Sequence, residues 1–242
     1  MMKKYFGIIF LVLICLASIL TSDQTVKVMK NIFFSGEDES AGKQYIIVID
    51  PGHGGRDPGK VGINNSLEKD INLSVAFKLK NLLEQNDIVV IMTREEDIGL
   101  YSETDTNKKN ADLNHRVDLI HNGGADLAIS IHQNSFGEEY VKGAQVFYYA
   151  QSAQGKKLAE ITQTQLIETI ADGNHRKAKA NDNYYMLKKT KCPFVIVECG
   201  YLSNIKEAEL LTDDEYQEKM AWGIHLAILQ FINEGGLKAT IQ

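Results

Sequence analysis

The chain has 242 residues, 44% of them hydrophobic and 24% charged, with three prolines and a formal net charge of −6. That size and balance suit one globular core, and so few prolines exclude long proline-rich linkers. The acidic balance, with no basic stripe and no aromatic–basic interleaving, excludes a non-specific nucleic-acid binder, and any affinity for an anionic wall or membrane needs a specific site.

Lys3 and Lys4 precede an apolar run from Phe6 to Leu20, and Asp23 closes it. A charged stretch followed by an apolar one reads as a signal peptide or N-terminal membrane anchor over residues 1–22. The run is short against the roughly 20 residues of a relaxed span, and Leu20-Thr21-Ser22 is a weak cleavage signal. Both readings make the remainder extracytoplasmic and confine membrane contact to this segment. Residues 23–44 are polar and mixed, with Ser35-Gly36-Glu37-Asp38-Glu39-Ser40 at their centre, and predict a flexible spacer.

From Tyr45 the texture alternates between strand and helix. The pattern predicts a strand over 45–50, a helix over 67–85, a strand over 88–93 and a polar loop over 94–112, mobile at 102–110. A short helix over 113–121 follows, closed by Asn122-Gly123-Gly124. Strands are predicted at 127–131 and 144–149, a helix at 154–170, strands at 184–187 and 194–199, and helices at 206–211 and 214–232. Strands apolar on both faces, alternating with amphipathic helices, predict a single α/β domain over 45–234. Its sheet is mostly parallel (mixed) and twisted, of about six strands, with helices on both faces, and residues 235–242 form a tail. Outside the first segment the cysteines are Cys192 and Cys199. Seven residues of extended chain separate them by roughly 23 Å, beyond disulfide reach of about 7 Å, which predicts two free, mostly buried thiols.

Ligands of such sheets bind beyond the carboxyl ends of the strands. Four ionisable residues project there from four segments. His53 sits in Asp50-Pro51-Gly52-His53-Gly54-Gly55, after the first strand. Glu68 opens the returning helix, His132 follows the 127–131 strand, and Glu198 ends Pro193-Phe194-Val195-Ile196-Val197-Glu198. Two histidines, one carboxylate and a water make a catalytic zinc site, and a further glutamate can act as general base. His53, Glu68 and His132 are assigned as ligands and Glu198 as the base, although sequence alone leaves open which glutamate does which. Separate bland roles exist for each: a capping box between Asn65 and Glu68, a rim histidine at 132, an ion pair of Glu198 with Arg94 or Arg116, a structural turn at His53. His121 suits a helix C-terminus, His225 a packed helix face, and His115 and His175 loops, with His175 a minor candidate to approach the site. The glycines around His53 are read as keeping that wall low enough for a bulky substrate.

These residues resemble the zinc-dependent N-acetylmuramoyl-L-alanine amidases of the Amidase_3 family over roughly residues 45–234. The resemblance rests on Ile49-Asp50-Pro51-Gly52-His53-Gly54-Gly55, Glu68, Thr93-Arg94, Arg116, Ser130-Ile131-His132-Gln133-Asn134 and Val197-Glu198-Cys199-Gly200-Tyr201-Leu202-Ser203-Asn204. It implies zinc held by His53, Glu68 and His132, catalysis by Glu198, and cleavage of the amide between the lactyl group of N-acetylmuramic acid and L-alanine of the stem peptide. Gln133, Cys199 and Tyr201 depart from the usual family residues without removing a ligand. With no wall-binding module and no long insertion after His132, the chain is most similar to CwlD-type amidases of spore formers, which implies a role in spore cortex as a step toward muramic-δ-lactam and germination. The expected partners are peptidoglycan glycan strands with their stem peptides and a protein that delivers or activates the enzyme. The rival readings are another zinc peptidase of the carboxypeptidase kind, disfavoured by the long gap between His53 and Glu68, and a non-catalytic wall-binding regulator.

Overall fold

Ile46-Ile47-Val48-Ile49 is apolar and β-branched at each position, which suits a strand covered on both faces. In the computed structural model, which describes residues 44–237, this segment is the strand β1, Ile46–Pro51. The helix α1 (Glu68–Glu84), the strand β2 (Val89–Met92), the helix α2 (Lys108–Asn122) and the strands β3 (Leu127–Asn134) and β4 (Gln145–Tyr148) follow. Next come α3 (Ala153–Ile170), β5 (Lys179–Ala180), α4 (Tyr185–Lys189), β6 (Phe194–Tyr201), α5 (Ile205–Thr212) and α6 (Asp214–Asn233). The six strands form one sheet in the order β2-β1-β3-β6-β4-β5. β2, β1, β3 and β6 are mutually parallel, β4 runs antiparallel to β6, and β5 pairs parallel with β4. The expected mixed α/β sheet of about six strands is what the chain forms.

Side-chain alternation along the strands sorts the core into two layers. Ile47, Ile49, Ile129, Ile131, Val195 and Val197 pack with α1, α3 and α6. Val48, Ala128, Phe194 and Ile196 pack with Val117 and Ile120 of α2 and with Met186 and Leu187 of α4. Cys199 is buried in the first layer and Cys192 half-buried, and both are free thiols as predicted. The first segment, nearly all of the predicted spacer and the end of the predicted tail lie outside the described residues. Leu237, beyond the predicted boundary at 234, is buried against the first layer. Among the described residues no helix is long and apolar enough to cross a membrane.

Three elements differ from expectation. Residues 184–187 form the start of a helix, not a strand. The Asn181 side chain accepts the amides of Asn183 and Tyr184, which turns the chain into α4, and a four-residue apolar run does not distinguish the two periods. β5 carries no apolar signal because both its residues are exposed. The helix α2 begins at Lys108, because Asn107 caps it by accepting the Asn110 amide, so the polar loop is shorter than predicted.

Ile129 is fully buried between these layers. Ile129→Ala is expected to lower unfolding free energy by about 2–5 kcal/mol, read from the midpoint shift in urea titrations.

Candidate metal centre

The loop after β1 is held by its carbonyls. Arg94 donates through Nε to the Pro51 carbonyl (3.0 Å) and through Nη2 to those of Gly52 (3.1 Å) and Lys69 (2.8 Å). Arg116 donates through Nη1 to Pro51 (2.8 Å) and through Nη2 to His53 (2.7 Å). Asn72 adds a second donor to Gly52. Arg116 is in turn anchored by Asp50 at 2.8 Å and Asp112 at 2.6 Å, while Thr93 and Ser130 donate hydroxyls to Asp50. Burial works against the ionised Asp50, but Arg116, Ser130 and Thr93 outweigh it and hold the carboxyl below its usual range. Burial, and then the charge of Arg116, lower Arg94 to about 10. Within this frame His53 adopts φ 63°, the left-handed region that non-glycine residues rarely occupy.

Alternation along β3 and β6 aims Ser130, His132, Ile196 and Glu198 to the α2 side of the sheet, and His132 and Glu198 are register partners. Glu68 enters from the first turn of α1. Its Oε1 lies 3.0 Å from His132 Nδ1 and 3.2 Å from His53 Nε2. The potential ligand atoms of His53, Glu68 and His132 all fall within 4.8 Å of one another. The rings of His53 and His132 meet edge to face at 5.0 Å. The remaining His53 nitrogen, Nδ1, is 2.8 Å from Asp57, the carboxylate partner that orients a ligating imidazole. Burial disfavours a charged His53, yet Glu68 and Asp57 raise it above its ordinary value. Burial likewise opposes Glu68 ionisation, but His132 and His53 hold it well below the carboxylate range.

The four sequence-predicted residues line one cleft of about 400 Å³, together with Tyr184 and Lys109. The bland readings of the two glutamates do not describe them. Glu68 makes no cap with Asn65; its Oε2 accepts the Lys60 amide (2.7 Å) and its Oε1 the Gln133 amide (3.0 Å). Among the described residues Arg116 pairs with Asp50 and Asp112, and neither it nor Arg94 forms an ion pair with Glu198. Glu198 Oε2 is buried without a hydrogen-bond partner, and burial above all raises its carboxyl to about 7. His175 lines a separate cavity beside Gly143 and Asp172, not this cleft. Ser130 bonds the Asp50 carboxylate. Two participants carried little sequence signal. Asp57 drew no reading from the sequence, and Tyr184 lay in a segment read as strand. Its hydroxyl is raised to about 12 by burial and then by Glu198.

The glycines serve the ligands more directly than expected. A Cβ on Gly52 would sit 2.1 Å from the His132 ring, and one on Gly59 (φ 68°) 2.5 Å from Glu68 Oε2 and 2.7 Å from His53. A Cβ on Gly54 or Gly55 would meet the backbone of Ile98 or Gly99.

Two imidazole nitrogens and one shared carboxylate oxygen, with a buried carboxylate unpartnered at Oε2 in the same cleft, could serve as the donor set of an open metal site. The family model for N-acetylmuramoyl-L-alanine amidase, Amidase_3, matches residues 47–230, and the chain belongs to that family. It is 41% identical over 194 residues to the germination-specific N-acetylmuramoyl-L-alanine amidase of Bacillus subtilis (strain 168), covering 79% of this chain and 81% of that protein. The CwlD amidase from Clostridioides difficile, solved in complex with the GerS lipoprotein, matches with a TM-score of 0.77 at 40% identity, over 79% of this chain and all (100%) of that one. The catalytic domain of CwlV from Bacillus (Paenibacillus) polymyxa var. colistinus matches with a TM-score of 0.69 at 30% identity, covering 78% of this chain and 99% of that one.

Two predictions come from the frame. Asp50→Asn is expected to cost about 3 kcal/mol at neutral pH, since it weakens a buried charge pair. Asp50 has a depressed folded value, so its stabilisation is present above the unfolded carboxylate pKa of about 3.9 and is lost as pH falls through the folded value. The gap between wild type and variant therefore narrows in strong acid, which urea titrations at neutral and acid pH measure. Gly52→Ala is expected to displace the His132 ring and abolish high-affinity zinc uptake while leaving a folded domain, checked by elemental analysis beside circular dichroism.

Proposed function

We propose that the chain is a zinc-dependent amidase acting outside the cytoplasm on spore cortex peptidoglycan, cleaving between N-acetylmuramic acid and L-alanine as a step toward muramic-δ-lactam and germination. The observation that carries the reading is Glu198: a buried carboxylate, unpartnered at Oε2, in the cleft shared by His53, Glu68 and His132. The name of the 41% identical relative supports the germination role.

His53, Glu68 and His132 would hold the ion. Zinc bound there supplies Lewis acidity toward water and toward an amide carbonyl. Glu198, raised to about 7, sits near the pKa at which one group both accepts and returns a proton at neutral pH. It takes a proton from the attacking water as the water oxygen joins the lactyl carbonyl carbon. It then gives that proton to the L-alanine nitrogen as the C–N bond breaks, leaving a lactyl carboxylate and a free amine. Asp57 holds His53 so that Nε2 faces Glu68. Cys199 takes no part: it is buried in the opposite layer, and burial pushes its thiol well above the usual range.

Residues 1–22 serve as signal or anchor, 23–44 as spacer and 45–234 as the catalytic domain. A partner protein delivers or activates the enzyme, a reading supported by the net charge of −6 and by the solved CwlD complex with a lipoprotein. Full activity of the purified chain on intact sacculi with nothing added would contradict the partner.

Glu198→Ala is expected to keep zinc and lose roughly 10²–10⁴-fold in turnover; undiminished turnover removes Glu198 from the mechanism. His53→Ala and His132→Ala are expected to lose the metal, and full zinc occupancy in either variant contradicts the ligand set. The products are to be read by mass spectrometry as new lactyl carboxylates, on spore cortex and on vegetative wall in parallel. Faster release from cortex is expected, and equal or faster release from vegetative wall overturns the germination role.

A further inference from the structure

The cations around the cleft divide sharply. Arg94 and Arg116 are spent on the loop carbonyls. Lys69 is paired with Asp97 at 2.6 Å, and Glu103 takes both Lys108 (2.5 Å) and Arg56 (3.7 Å). Lys60 and Lys109 remain. Both are exposed, both line the cleft that holds Glu198, and neither forms an ion pair among the described residues. Lys109 is close enough to Asp57 to help lower that carboxyl without closing onto it. The acidic residues lining the cleft, Glu68 and Glu198, are buried. On a chain of net charge −6, the accessible charges lining this cleft are therefore positive, and the nearest exposed carboxylate is Asp57, which is bonded to His53.

The substrate is asymmetric in charge. On the glycan half the lactyl carboxyl is consumed in the scissile amide. On the peptide half, free carboxylates survive on the residues beyond L-alanine. We propose that Lys60 and Lys109 form a carboxylate-binding pair that recognises the stem-peptide half of the substrate and so sets which way the amide lies across the cleft. The proposal rests on the amidase reading above and names what that site selects. A lysine ammonium suits the task, because it meets a carboxylate as a mobile point charge through water or directly. A tenfold discrimination corresponds to about 1.4 kcal/mol.

The test uses the zinc-loaded full chain and two muramyl-dipeptide substrates, MurNAc-L-Ala-D-isoglutamate as the free acid and its diamide. Wild type is expected to favour the acid by about tenfold in KM, with similar kcat. The doubly substituted Lys60→Met, Lys109→Met chain is expected to lose that preference, with kcat for the diamide within about twofold of wild type. Added salt should erode the wild-type preference and leave the variant unchanged. Equal KM for acid and diamide in wild type overturns the proposal, as does an undiminished preference in the double variant. A second arm separates this failure from failure of the amidase reading: NMR titration of the metal-free chain with L-Ala-D-isoglutamate and its diamide. Tighter binding of the acid to wild type than to the double variant supports the pair whether or not the chain turns over. Equal binding, or no binding of the acid, overturns it.

Discussion

Two buried guanidiniums pinning three consecutive carbonyls is the constraint on which this domain's site depends. Pro51 ends β1, Gly52 and His53 follow it, and the carbonyls of all three take side-chain partners. Arg94 and Arg116 supply those partners, and Asp50 and Asp112 neutralise Arg116 in turn. An unpaired buried backbone carbonyl is costly, so removing either arginine would release the loop. His53 holds a left-handed φ with its own carbonyl fixed by Arg116 at 2.7 Å. The ligand geometry therefore originates in a network that never touches the candidate metal position.

The period of two along parallel strands does the remaining positioning. Asp50 pairs in register with Ser130, and His132 with Glu198. One alternating face thus carries the structural carboxylate lower down and the chemical groups at the rim. Asp50 is fully satisfied by Arg116, Thr93 and Ser130. Glu198 is equally enclosed but lacks a donor at Oε2. The same residue class on the same face is held ionised in one place and left poised near 7 in the other, and the difference is the supply of donors.

Much of this was legible in the sequence. The apolar β-branched runs of β1, β3 and β6 announced a buried parallel sheet, and the strand ends put His53, His132 and Glu198 on its carboxyl rim. Glu68 stood out because it opens the helix that returns from the His53 loop, and only the structure shows that it forms no cap with Asn65. What remained hidden depends on contacts across the fold. The partners of Arg94 and Arg116 are backbone carbonyls, which leave no mark in composition. Gly52 reads as a turn glycine, yet its lack of a side chain makes room for an imidazole 80 residues later. The strand expected at 184–187 fell to a side-chain turn at Asn181, because four apolar residues fit either period. β5 has two exposed residues and no signal at all.

The account divides two glutamates between two jobs, Glu68 on the metal and Glu198 on the proton, a division the sequence alone left open. Anomalous diffraction at the zinc edge, from crystals of the zinc-loaded chain, tests it most directly. The account predicts one strong peak within coordination distance, about 2.0–2.2 Å, of His53, Glu68 and His132, with Glu198 outside that distance. A peak ligated by Glu198 in place of Glu68, or no peak between the two histidines, would contradict it.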